Sequence, residues 1–301
     1  MTCTPQNAET SAVSYDDDPF QEQTHHALLF TLRNQDELNQ RLSPDWIHMG
    51  WDLHRAAMAE AAECLGYLHW AWWKSDQYGK PPHQDKQQQL WMEIVDVFHF
   101  LMSIHLRDCY LEIEQQAQAA EPAWDARATA RGDIARGYMA AFNTVRPVAD
   151  GNPLDIAAAA EDLIHVLYHD RANFDSNRSI LARFANLCHL AGLSIERLLV
   201  YYAGKRALNV FRWNNAYSAT GTAHYTKHWL VALGDRGVKE VEDNQVLLGL
   251  LEGYMAVTPR SDQLEACSSG ELHTLIYGGL TAQWDVHLAL TREASPPPCN
   301  L

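Results

Sequence analysis

Two short acidic motifs, Glu60-Ala-Ala-Glu63 and Glu93-Ile-Val-Asp96, each place two carboxylates three residues apart. Residues three apart share a helix face, so each motif aims both acids the same way. Leu65 beside the first pair and Val95 inside the second put apolar surface next to those faces. If the two faces meet, four carboxylates converge and repel one another in partly buried surroundings unless a cation neutralises them. Oxygen donors with no His or Cys in the motif favour Mg²⁺, with Mn²⁺ as a substitute, over zinc. Such ions hold a triphosphate, polarise its phosphoryl oxygens and activate water. A single ExxE is common on solvated helix faces; two of them on consecutive apolar helices give the pattern its weight. A di-iron bundle would carry Glu-x-x-His pairs, and neither motif ends in His. His99 follows Asp96 by three, and a substrate contact or the orienting of a ligand suits it better than direct metal ligation.

Further candidates surround these acids. Trp70, Trp72, Trp73 and Lys74 follow the first pair, a cluster that either packs in a core or stacks on a base, worth about 1 to 3 kcal/mol per contact. Lys205, Asn209, Arg212 and Tyr217 offer two cations for phosphate oxygens and an amide for the edge of a base. Without the carboxylates the same group would read as a charged helix face.

The elements that must position these residues are helical. Apolar residues recur at three- and four-residue steps from Trp51 to Trp73, and again from Gln84 to Leu111 through Leu90, Ile94, Val97, Phe98 and Leu101. Gly79, Lys80, Pro81 and Pro82 break the chain between them, so two helices fold back on each other. A further block starts near Ala128 and breaks around Pro147 to Pro153. Another runs from Leu154 to Tyr168, and another from Arg178 to Asn209 with Gly192 interrupting it. No sustained Val/Ile/Thr alternation predicts a strand. Trp213 to Asn244 is the least helical stretch, and a long irregular segment in a helical protein is more often functional than not. The fold class is therefore all-α, with residues 1–19 as a disordered tail, one domain over 20–294 and a flexible end at 295–301.

Bulk properties narrow the function. The 301 residues are 47% hydrophobic, enough for a large core, and carry a net charge of −15. That charge argues against a broad grip on nucleic acid, which needs excess Lys and Arg. Six scattered cysteines with no CxxC spacing fit reduced thiols in an intracellular protein. The polar start, ending in Asp16, Asp17 and Asp18, is unlike a secretory signal, and no apolar run reaches membrane-spanning length. Cytoplasm or nucleus is the expected address.

The run Glu60-Ala-Ala-Glu63-Cys-Leu-Gly-Tyr-Leu-His-Trp70-Ala-Trp72-Trp73-Lys74, then Glu93-Ile-Val-Asp96-Val-Phe-His99-Phe, then Tyr202-Ala-Gly-Lys205-Arg-Ala-Leu-Asn209-Val-Phe-Arg212, resembles the dimeric dUTPases of trypanosomatid type. These belong with phage dCTPase-dUTPases and MazG-like enzymes among the all-α nucleoside triphosphate pyrophosphohydrolases. The likeness covers most of residues 35 to 245. It implies a rigid metal-binding helical core with a smaller mobile helical lobe around 112–150. It further implies Mg²⁺-dependent hydrolysis of dUTP, and of dUDP, to dUMP by a homodimer in which one subunit closes the site of the other. Glu60, Glu63, Glu93 and Asp96 would hold the metal, with Glu63, beside Glu60, orienting the attacking water. Trp72 would stack on uracil, and Gln35, Asn39, His99 and Asn209 would read its edge or the deoxyribose. Lys74, Lys205, Arg212, Tyr217 and Lys227 would clamp the phosphates. The chain departs from the family at Ala216, where a glycine usually precedes the tyrosine; alanine does not accept positive φ, so that loop is expected to follow another backbone path. Glu242-Asp243-Asn244 matches the family pattern again, and also suits a helix N-terminus. Two alternatives stay open at this point: a broader pyrophosphohydrolase acting on dCTP or modified nucleotides, and a non-catalytic helical protein that only binds metal or an aromatic ligand.

Overall fold

A computed structural model describes residues 19–74, 76–117, 125–145, 151–169, 177–215, 225–234 and 237–294. Among them are α1 (Pro19–Leu42), α2 (Leu53–Glu63), α3 (Gln84–Ala117), α4 (Ala126–Thr144), α5 (Pro153–His169), α6 (Asn177–Leu190) and α7 (Ile195–Asn214). A hairpin of β1 (His228–Ala232) and β2 (Val238–Glu242) follows, then α8 (Asp243–Val257), α9 (Arg260–Ser269) and α10 (Glu271–Ala294). The architecture is all-α, as the periodicity predicts. No helix among the described residues is long and apolar enough to cross a membrane. Cys64, Cys109, Cys188 and Cys267 are free thiols.

Helix α3 organises the rest. Its 34 residues make a rod about 50 Å long at 1.5 Å per residue. Leu90, Ile94, Val97, Phe98 and Leu101 are buried, and so are Met92, Val95, Met102 and Ile104 on its other sides. A helix apolar around its circumference sits at the centre of a bundle, and α3 packs against α1, α2, α4 and α7. Phe98 lies within ring contact of Tyr138 from α4, Phe184 from α6 and Tyr202 from α7, at 5.2, 5.7 and 5.8 Å. Helix α4, inside the stretch expected to form a smaller lobe, packs on α1, α3 and α6.

Local chemistry sets the helix ends. The Asp52 carboxylate accepts from the Arg55 N–H and caps α2, and Ser194 does the same for α7 through the Arg197 N–H. Gly192 takes φ of 69°, which lets the Leu193 N–H reach Cys188 O at 2.8 Å and closes α6. That break separates α6 from α7 where the sequence shows its interruption.

Three features differ from the sequence reading. The helical period from Trp51 to Trp73 is real only to Glu63; Cys64–Tyr67 tightens to a 3-10 turn and Leu68 is extended, so Trp70, Trp72 and Trp73 lie beyond the helix. A short hairpin occurs where no strand was expected. Its five-residue strands are exposed except for Trp229 and parts of their inner positions, so they carry no long alternation. Gly234 and Gly237, at φ of 61° and 89°, turn it. Helix α1 also escaped the periodicity, because much of its buried face is polar: Thr24, Thr31, Asn34, Gln35, Asp36 and Asn39. The expected tail falls outside the described residues up to position 18, with Pro19 opening α1, and the expected flexible end at 295–301 lies outside them as well.

Removing the Phe98 ring should cost about 3 to 5 kcal/mol of unfolding free energy, the usual range for a buried Phe→Ala change. Urea denaturation of Phe98→Ala measures it, and a loss below about 1 kcal/mol would contradict a core centred on this ring.

Candidate active site

The last turns of α2 and the middle of α3 bring the acids together. Carboxylate oxygens of Glu60, Glu93 and Asp96 all lie within 4.8 Å of one another. Glu63, at the end of α2, borders the same space but stands outside that tight group and is exposed. The Tyr67 hydroxyl donates to Glu93 Oε1 at 3.1 Å. From α7, the buried Lys205 places Nζ 2.6 Å from Asp96 Oδ2 and 3.3 Å from Asn244 Oδ1. One ammonium against three carboxylates leaves an excess of negative charge. Burial, followed by repulsion from Asp96 and Glu63, pushes Glu60 up to about 7. Glu93 is likewise raised to about 7, by burial and then Asp96, although Lys205 and Tyr67 pull the other way. A cluster of oxygen donors short of positive charge fits a divalent cation.

These acids form one end of a cavity of about 580 Å³. Its neutral wall is a hydrogen-bonded network from α1, α3 and α7. Gln35 Nε2 donates to Asn39 Oδ1 at 3.1 Å and to Ser103 Oγ at 3.0 Å, and Asn39 Nδ2 donates to the same hydroxyl at 3.0 Å. Gln35 Oε1 accepts from His99 Nδ1 at 2.7 Å and from the Tyr202 hydroxyl at 3.1 Å. Both donors of this amide are used and its oxygen has two partners, so Gln35 is saturated. Burial lowers the His99 pKa to about 4 despite nearby Asp96, which keeps the ring neutral. With Nδ1–H donating to Gln35, Nε2 carries a lone pair, and that buried atom has no hydrogen-bond partner among the described residues.

The third part of the wall mixes cations with acids and amides. Asn209 and Arg212 come from the last turns of α7, and Lys227, Asp243 and Asn244 from the edge of the hairpin and the start of α8. Arg212 Nε and Nη2 donate to Asp243 at 2.9 and 2.7 Å, and Nη1 lies 3.4 Å from Asn209 Oδ1.

The tertiary structure thus gathers Gln35, Asn39, Glu60, Glu63, Glu93, Asp96, His99, Lys205, Asn209, Arg212 and Lys227 around one cavity. Trp72 and Lys74 are not on its wall. Because α2 stops at Glu63, the segment carrying them runs in turns over the surface, with Trp72 70% exposed. Tyr217 and Ala216 lie outside the described residues. Sequence reasoning missed Tyr67, Ser103 and Tyr202. Ser103 lies four residues after His99, a spacing that shares its helix face and could have flagged it.

Two sets of groups pull the stability of the metal-free fold in opposite directions with pH. Buried His99 and His105 and half-buried His273, each lowered to about 4 by desolvation, must stay neutral, so their contribution to stability rises with pH until the unfolded chain's histidines lose their protons near 6.5. Glu60 and Glu93, raised to about 7, keep protons that the unfolded chain loses near 4.5, so their contribution to stability falls as pH rises from about 4.5 to about 7. Against the double variant Glu60→Gln/Glu93→Gln, which keeps the histidine contribution, the melting temperature of metal-free wild type should therefore fall as pH rises from about 4.5 to about 7, and divalent cation should abolish that relative fall. Calorimetry on both proteins across that range decides it; parallel pH profiles would mean that burial and mutual repulsion do not hold protons on Glu60 and Glu93.

A comparison with curated proteins gives no match. Residues 27–217, which carry both acidic motifs, the His99 network and the α7 cations, match the family model described as dUTPase. Since that match spans more than half of the 301 residues, the chain belongs to the dUTPase family and is a dUTP diphosphatase.

Proposed function

We propose that the chain is a Mg²⁺-dependent enzyme, with Mn²⁺ as a substitute, that hydrolyses dUTP and dUDP to dUMP with release of pyrophosphate or phosphate. The observation that carries this reading is the meeting of Glu60, Glu93 and Asp96 within 4.8 Å at one end of a cavity whose other walls hold a neutral network and the side chains of Lys205, Arg212 and Lys227. Glu60, Glu63, Glu93 and Asp96 hold the metal. When bound, Mg²⁺ neutralises these acids and polarises the phosphoryl oxygens.

The chain's own residues do the rest. Glu63 stands outside the tight carboxylate group, and its oxygen orients the attacking water and accepts its proton. Lys205, Arg212 and Lys227 donate to phosphate oxygens, and Tyr217 is assigned to the same clamp. On the neutral wall, His99 Nε2 accepts a hydrogen bond from the N3–H of uracil or from a sugar hydroxyl. Cytosine has no hydrogen at N3 and would leave that lone pair facing another, a mismatch that sites built on hydrogen bonds reject strongly. Gln35 acts by fixing the His99 tautomer, while Asn39 and Asn209 present amides to the nucleoside. The working form is a homodimer, and the exposure of Trp72 and Trp73, 70% and 55%, suits a surface between copies better than a stacking platform within one chain. An enzyme of this kind works in the cytoplasm or nucleus, where it limits uracil incorporation into DNA and supplies dUMP for thymidylate synthesis.

Incubation with Mg²⁺ and dUTP, dCTP, dTTP or UTP, followed by product identification, should give dUMP selectively. Equal turnover of dCTP would replace this reading with a broad pyrophosphohydrolase. Glu63→Gln should lower kcat by about 10²- to 10⁴-fold, the usual contribution of a positioned base, with an unchanged melting profile. Retained activity in that variant would remove Glu63 from the mechanism.

A further inference from the structure

Asp243 is a carboxylate in the cavity wall that the mechanism above does not use. It is 1% exposed and opens α8, where the positive end of the helix dipole favours a negative charge. Its backbone N–H donates to Lys227 O at 2.7 Å, tying it to the start of the hairpin. Oδ1 and Oδ2 receive two parallel bonds from Arg212 Nη2 and Nε, and Oδ2 also accepts the Tyr225 hydroxyl. The Tyr225 ring stacks on Trp284 of α10, with centroids 5.1 Å apart and planes 23° apart. The carboxylate is therefore held from three directions.

We infer that Asp243, supported by Tyr225, is a positioning residue that fixes the Arg212 guanidinium side-on and presents its Nη1 edge, beside Asn209, to the triphosphate. A side-on pair sets both the plane and the rotation of the guanidinium. It also cancels the formal charge of Arg212, so Arg212 supplies direction rather than net charge to the phosphates. Both members of this buried ion pair border the cavity, next to Asn209 and Asn244, where the guanidinium can meet a ligand as well as join α7 to α8. The inference rests on Arg212 contacting phosphate, as proposed above.

Four variants test it: Arg212→Met, Asp243→Asn, Tyr225→Phe and the double Arg212→Met/Asp243→Asn. Each is measured for dUTP kinetics, for binding of α,β-imido-dUTP and of deoxyuridine, which has no phosphate, and for melting temperature. Asp243→Asn should raise the KM for dUTP and the Kd for α,β-imido-dUTP by about tenfold, and change deoxyuridine binding less than about twofold. Tyr225→Phe should move the same quantities the same way by a smaller factor, and it carries the test if Asp243→Asn does not fold. The double variant should be no worse than Arg212→Met alone, within about twofold, because Asp243 acts only through Arg212. Losses that multiply in the double variant, or a deoxyuridine defect equal to that for the triphosphate, would overturn the inference. If Arg212→Met binds α,β-imido-dUTP normally, the phosphate contact itself fails. If Arg212→Met is impaired and both Asp243→Asn and Tyr225→Phe are not, only the positioning role fails.

Discussion

Three carboxylates within 4.8 Å of one another, at the edge of an apolar core, are the constraint on which this fold turns. Such a group is tolerable only where positive charge and hydrogen-bond donors arrive from several directions. Helix α3 brings Glu93 and Asp96, and α2 brings Glu60. Helix α7 crosses close enough to set Lys205 against Asp96, and the turn after α2 returns Tyr67 to Glu93. The bundle thus serves as a frame for a charge imbalance that a divalent cation would relieve.

The cavity is divided by electrostatics as well as by shape. At one side burial holds His99 neutral, and the Gln35 amide, already saturated, decides which ring nitrogen carries the hydrogen. At the other side Lys205, Arg212 and Lys227 border the acids. A nucleoside triphosphate has the same polarity, a neutral planar end and a polyanionic end. The fit between the two is the physical basis for the proposed orientation of the substrate.

The C-terminal part of the chain completes this division. The family match ends at residue 217, yet Lys227, Glu242, Asp243 and Asn244 border the cavity from beyond it. Packing brings them there. Trp229 of the hairpin is fully buried against Phe211 of α7 and Trp284 of α10, at 5.7 and 5.2 Å, and this aromatic contact anchors β1 and, through it, the start of α8. Residues beyond the matched segment therefore shape this end of the cavity.

Much was determined by the sequence alone. The three-residue spacing in Glu60–Glu63 and Glu93–Asp96 set both pairs on helix faces, and the apolar steps from Leu90 to Leu101 foretold the long central helix, because helical period and side-chain direction are local properties. The separation of α6 from α7 was legible for the same reason, since a glycine at positive φ stops a helix wherever it occurs. The polar burial of α1 was not legible: Gln35 and Asn39 lie inside because Ser103, His99 and Tyr202, distant in sequence, satisfy them. Nor was the exclusion of Trp72 and Lys74 from the cavity wall, which follows from where α2 gives way to a 3-10 turn. The pairing of Lys205 with Asp96 and of Arg212 with Asp243 was decided only when α3, α7 and α8 packed together. Partner choice between buried charges depends on distance and desolvation, and neither exists until the chain has folded.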